Sequence, residues 1–495
     1  MENTRYVSKG MKFLSVIFGV LLGGFIWRCR GEGGFGGSWG LYSVGLILLM
    51  CVYHFYGNKK NMRYEMIPVG ALLLGVGVTG YGTVMDQPAG LLFSDLPYQG
   101  NVIYSPIDIK SGILIFFIMG CTFLPLYSFF VGTLFSGKEY KIRHYVIAIA
   151  VFFGLSYLAK ATVSHYILQW INPEQVHYAE LGLADKALED PSYAFESAKQ
   201  AYMAHFGQRR WTQEIPYFEN YYMSIEHVSD LLGILGLAVY ALVAFKDKVT
   251  AIGVIVMNFV MGLGTTAANL LLFTVDLPTS IFADFTTPRP LAGGQWGLWE
   301  YATGATAGFV TMLFIALLPK KYTAQTEPDN SPLFGNEKFN CLFNILATGF
   351  VFGVVPARVI GIRVARIFEK NGMIEDSDTL EIILLVIIAV GLCLFFIPFV
   401  YKNLLKKKTT TLGVSPFNFA LTAEPAYMLM CCILYYFGDR CVIIHLPYSE
   451  ITGFSSFFYT MTNPQCIEEF TMFVTFIILV AMYIPVRKKL KKVSE

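Results

Sequence analysis

Charge is what this sequence has least of. Asp, Glu, Lys and Arg make up 15% of the 495 residues, against about 25% in soluble domains. Apolar residues reach 55%, and the mean hydropathy is +0.53. That balance excludes an ordinary soluble enzyme and points to a chain that crosses a membrane many times. The net charge of +2 argues against a nucleic-acid partner. The start, MENTRYVSKGMKFLSVIFGVLLGGFIW, has no small-x-small cleavage site followed by a soluble chain. It reads as a retained first span.

Chemistry-bearing motifs are also missing. The nine cysteines form no C-x-x-C or Cys/His grouping, so no zinc or iron–sulfur centre and no other cofactor is expected. Cys441 and Cys466 flank one expected external loop and are candidates for a disulfide. The glycine-rich Gly31–Gly37 lacks the G-x-x-x-x-G-K-[ST] pattern of a phosphate loop and suits a tight hairpin better. There is no G-x-S-x-G and no H-E-x-x-H. No Asn-x-Ser/Thr glycosylation site occurs in any external loop, which favours a bacterial cytoplasmic membrane.

What is present is a series of apolar runs of spanning length, near 20 residues each. They fall at 11–27, 39–56, 64–84, 111–136, 144–170, 228–245, 249–275, 296–318, 339–360, 379–401, 417–437 and 467–486. This predicts an all-α polytopic protein of about twelve spans. With both termini cytoplasmic, 23 of the 37 Lys and Arg fall in the short internal segments. Such a bias is what orients membrane proteins.

The hexapeptide pattern GGxWGL occurs at Gly36–Leu41 and again at Gly293–Leu298, 257 residues later. Each copy opens the second run of a pair that leaves and returns. The spacing, near half the chain, predicts a parallel repeat of six plus six spans. The halves are 1–245 and 246–495. The first carries a helical external cap at about 171–227, with Trp211, Tyr217, Phe218, Tyr221 and Tyr222.

Trp296, Glu300, Gly304 and Gly308 recur every fourth residue on one helical face. The plain interpretation is a packing seam, since G-x-x-x-G permits close helix approach. The sharper one puts Glu300 in a cavity about 6 Å below Trp296. Ala71, Gly75, Thr79 and Thr83 form a similar ladder, and Asn258, Gly262 and Thr266 another, with Thr265 and Asn269 nearby. Polar groups at these depths need partners inside the bundle.

Lys160 is the clearest charge within a span, on one face with Ser156 and Ser164. Glu424 is the other, at a different depth, so separate partners are expected. Arg28, Arg30 and Glu32 end the first run, Glu226 and Asp230 open the sixth with His227 beside them, and Arg358 ends the ninth. Guanidinium groups clamp phosphate or carboxylate in bidentate fashion. Snorkelling and structural ion pairs are the plain alternative.

In layout alone, six plus six spans resemble the major facilitator transporters, although GNKKNMRYE between the second and third runs is not the Gly/Asp/Arg-rich signature of that family. The expected function is transport of a small solute, including an anionic one, by alternating access. Arg28, Arg30, Lys160, Asp230, Glu300 and Arg358 are its candidate contacts, and replacing Lys160 with Met should abolish flux.

The alternative is a transferase at the outer leaflet acting on a lipid-linked phosphate, with Glu32, Asp230 or Glu300 as base and Arg28, Arg30 and Arg358 as clamp. A purely structural subunit is the third expectation. The expected partners are the bilayer and a small or lipid-linked anionic substrate.

Overall fold

The computed structural model describes residues 5–32, 37–57, 66–78, 96–98, 101–103, 109–173, 216–275, 294–325 and 372–400, with isolated positions at 62, between 342 and 369, and at 477 and 481. Helices dominate the described residues: α1 (Lys9–Glu32), α2 (Gly37–Tyr56), α3 (Met66–Gly77), α4 (Ile109–Cys121), α5 (Pro125–Ser136), α6 (Ile142–Thr162), α7 (Ser164–Ile171), α8 (Pro216–Phe245), α9 (Lys248–Val275), α10 (Gly294–Leu317) and α11 (Ser377–Val400). Two short antiparallel pairs join them: β1 (Arg5–Tyr6) with β4 (Ala324–Gln325), and β2 (Leu96–Tyr98) with β3 (Asn101–Ile103).

Six described helices are long and apolar enough to cross a membrane, or seven if the bent pair α4–α5 is one span. The protein is therefore a multi-pass membrane protein. The runs expected at 417–437 and 467–486, and nearly all of 339–360, lie outside the described residues, as do 174–215 of the expected cap, Glu424, Cys441 and Cys466.

Three runs differ from expectation in informative ways. The run at 111–136 is two helices inclined at 48° to one another. That at 144–170 is dislocated at Val163, where Thr162 and Val163 are both β-branched and the Thr162 hydroxyl donates back to the Leu158 carbonyl at 2.7 Å. The helix expected from 228 begins at Pro216, so Tyr217, Phe218, Tyr221 and Tyr222 belong to α8 rather than to a separate cap. A proline is well suited to the first turn of a helix.

The chain divides into two compact units, Met1–Gly75 with Thr303–Glu495, and Val76–Ala302. This grouping by compactness is a different partition from the halves expected at residue 245.

In the first unit, α1 and α10 run antiparallel at very close range. A Cβ on Gly19 would stand 2.7 Å from the Gly308 carbonyl oxygen, and one on Gly23 would meet the Gly304 carbonyl. The pattern G-x-x-x-G is thus on both helices, and the seam interpretation of Gly304 and Gly308 holds. The same register continues to the helix ends. Lys12 Nζ donates to the carbonyls of Ala316 at 2.9 Å and Leu318 at 3.3 Å, satisfying the C-terminus of α10. Arg5 then pairs with Gln325. Ser15 and Tyr56 share a buried hydrogen bond of 2.9 Å. The start of α1, the end of α2 and the end of α10 therefore lie at one end of this unit.

In the second unit, α6 packs antiparallel to α8, α8 folds back into α9, and α9 lies along both α4 and α5. The α8–α9 corner explains itself locally. Lys246 adopts φ 51°, its N–H reaches the Leu242 carbonyl, and the Asp247 N–H reaches Ala241. Asp247 then caps α9 through the Thr250 N–H at 3.0 Å and also accepts from the Tyr140 hydroxyl at 2.9 Å. Burial, and next the Asp247 charge, push the Tyr140 phenol above its ordinary range.

Candidate functional site

The site grows from one proline. Pro125 has no N–H to give the Cys121 carbonyl, four residues back, and its ring obstructs a continuing helix. The end of α4 tightens instead: the Thr122 N–H bonds Met119 at 3.0 Å and the Phe123 N–H bonds Gly120 at 3.3 Å. Helix α5 restarts at Pro125. Its 12 residues span about 18 Å at 1.5 Å per residue, which puts the interruption near the middle of a hydrocarbon core about 30 Å thick.

Two other helices close on this interruption. From α9, Gly262 and Thr265 approach α4: a Cβ at Gly120 would lie 2.8 Å from the Cα of Gly262 and 2.6 Å from the Cβ of Thr265. Lower down, Asn258 Nδ2 donates to Ser128 Oγ at 2.9 Å and to the Val254 carbonyl at 2.6 Å. From α8, His227 Nδ1 lies 2.7 Å from Thr122 Oγ1. His227 and Thr265 stand almost the same number of residues from the α8–α9 corner, and Ser224 and Asn269 match one turn further on.

The tautomer of His227 follows from counting protons. Thr122 Oγ1 lies 2.8 Å from the Met119 carbonyl, which can only accept. The single hydroxyl proton is therefore spent there. His227 Nδ1 must donate to Thr122, and in the neutral ring Nε2 then carries a bare lone pair. Nε2 is buried with no protein partner, and so are Thr265 Oγ1, Ser224 Oγ, Asn258 Oδ1 and both amide atoms of Asn269. Buried polar groups are ordinarily satisfied. A group of them around an interrupted span is what a solute site in a membrane bundle needs.

The residues singled out by sequence are distributed otherwise. Lys160 does not stand alone: its Nζ lies 2.6 Å from Glu226 Oε1, with the two side chains 40% and 36% exposed. Ser156 and Ser164 do share its face toward α8, where Ser164 bonds Ser229 at 2.7 Å. Asp230 is buried on α8, one turn from His227, and Glu300 is buried on α10. Arg28 is buried on α1. Arg30 and Glu32 belong to the last turn of α1. Arg358 lies outside the described residues. Among the described residues, no three His, Cys, Asp or Glu side chains gather as metal ligands.

Thr122 and Pro125 were not singled out from sequence, and His227, Thr265 and Asn269 figured only as neighbours. The available signal was a 26-residue apolar run with a proline inside it, facing a run with Asn258, Thr265 and Asn269 at helical spacing. Compared with protein-family models, curated proteins and solved structures, the chain matches none.

Proposed function

We propose that this protein is a membrane transporter that moves a small polar solute by alternating access, with its binding site at the α4–α5 interruption. The observation that carries the proposal is the bare Nε2 of His227, buried beside an interrupted span together with Thr265 and Asn269. Irregular backbone is tolerated at membrane depth where it is enclosed by protein or lines a cavity. Interrupted spans of this kind form the solute and ion sites of many transporters.

Twelve spans in two halves of six belong to this proposal. Its support is that α2 and α10 each begin at the second glycine of a GGxWGL copy. Two such halves would rock about the site.

The test is reconstitution into liposomes loaded with a small-molecule extract of the producing cells. Mass spectrometry would follow which solute leaves the lumen. Loss of one solute class with the native protein, and its retention with folded His227→Phe, is expected. Equal retention of every solute by both proteins would overturn the transporter reading. Co-purification of a lipid-linked phosphate would then favour the transferase.

A further inference from the structure

The chemistry of the interruption selects among solutes. No Lys or Arg occurs between Ser111 and Ser136, between Ser224 and Phe245, or between Val249 and Val275. The three segments that enclose the site therefore offer an anion no counter-charge. Lys160, on α6, is already paired with Glu226. Besides the Asn269 amide and the hydroxyl donors, what the segments offer is acceptors. His227 Nε2 presents a lone pair because Nδ1 is committed to Thr122. Thr265 Oγ1 is buried and unpartnered against Gly120. The Cys121 carbonyl has lost its helical donor to Pro125. His227, through Thr122, and Thr265, against Gly120, both stand at the C-terminal end of α4, where the helix dipole places partial negative charge.

Resting on the transporter reading for its role, we propose that the interruption binds a small primary ammonium solute. Its three N–H donors are received by His227 Nε2, Thr265 Oγ1 and the Cys121 carbonyl. A primary ammonium is the simplest group that combines positive charge with three donors. Asn269 and Ser224, both unpartnered and one turn away on α9 and α8, are placed to receive a polar substituent of the same solute. The selection is geometric as well as electrostatic. A potassium ion carries the same charge but no hydrogen to give the His227 lone pair, and a choline head has no N–H at all.

The experiment needs only the purified full-length protein in detergent. Its thermal unfolding is measured in methylammonium chloride, ammonium chloride, potassium chloride and choline chloride at equal ionic strength. Methylammonium and ammonium are expected to raise the midpoint saturably, by about 2 °C or more over choline, and potassium to match choline. Thr265→Val and His227→Phe should each abolish the rise. Thr265→Val nearly preserves shape and serves if the histidine variant fails to fold.

A rise equal in potassium, or one kept in both variants, overturns the proposal, and so does no rise in either ammonium salt. Solute loss from the liposomes, dependent on His227 but of an uncharged or anionic compound, would leave transport standing and remove the ammonium assignment alone.

Discussion

Two pairs of helices in this protein use glycine to come close, and they do opposite things with the closeness. Along α1 and α10, Gly19 and Gly23 meet Gly308 and Gly304 backbone to backbone. At these glycines backbone faces backbone, although Thr303 Oγ1 beside Gly304 is likewise buried without a partner. Along α4 and α9, Gly120 and Gly262 bring together a broken helix end and a row of hydroxyl and amide groups that have no protein partner. The first contact is a seam whose register runs unbroken to Lys12 and the β1–β4 pair. The second encloses unmet hydrogen-bonding capacity. Small residues thus mark close approach in both, and what sets the second apart is the broken helix end beside its polar groups.

The largest effect is expected at the seam. A side chain at Gly308 would collide with the Gly19 backbone, so Gly308→Leu should prevent α1 and α10 from packing. Loss of the monodisperse folded protein in gel filtration would show it, and a normal profile would contradict the seam.

The interruption should respond in the reverse sense. Pro125→Ala restores an N–H for the Cys121 carbonyl. It is predicted to hold or raise the unfolding temperature while reducing flux at least tenfold, as α4 and α5 straighten. If flux survives with stability unchanged, the break plays no part.

A smaller effect is expected where sequence alone predicted a total one. Lys160→Met leaves Glu226 without its cation. A double-mutant cycle with Glu226→Gln should show coupling, most of the loss being recovered in the double variant. Retained flux in that double variant would assign the pair to structure. Abolished flux would restore the direct role first expected of Lys160.

The smallest effect belongs to the α8–α9 corner. Tyr140→Phe removes the hydroxyl that donates to Asp247 and should cost about 0.5–1.5 kcal/mol at neutral pH. Because the phenol is held above its unfolded value near 10, its contribution is complete below pH 10 and declines as pH rises further. Stability profiles of the native protein and the Tyr140→Phe variant should therefore converge in strong alkali. Parallel profiles would mean that other groups set the alkaline limit.

Much of this was legible in the residues. Low charge and spanning apolar runs settle the membrane class, because the bilayer leaves a helix few other sequences to adopt. Gly304-x-x-x-Gly308 was readable as a seam, since its spacing alone places both glycines on one face. The boundaries of α2, α9, α10 and α11 fall within about three residues of the expected runs, for apolar length and basic flanks fix where a span stops.

Partners were not legible. Nothing in the spacing of Lys160 could nominate Glu226, 66 residues away, because their meeting depends on how α6 and α8 are rotated and registered against one another. Nor could a histidine and a threonine in separate runs be seen to fix a tautomer between them.

By itself, then, the sequence determined that this protein lives in a membrane, where several of its helices begin and end, and which faces carry small or polar groups. Those properties are local and periodic. Only the tertiary structure decided that α4, ended by Pro125, meets His227 and Thr265, and that Lys160 is already paired. The physical reason is that hydrogen bonds and ion pairs are satisfied across helices, and a one-dimensional pattern carries no information on which helix will stand opposite.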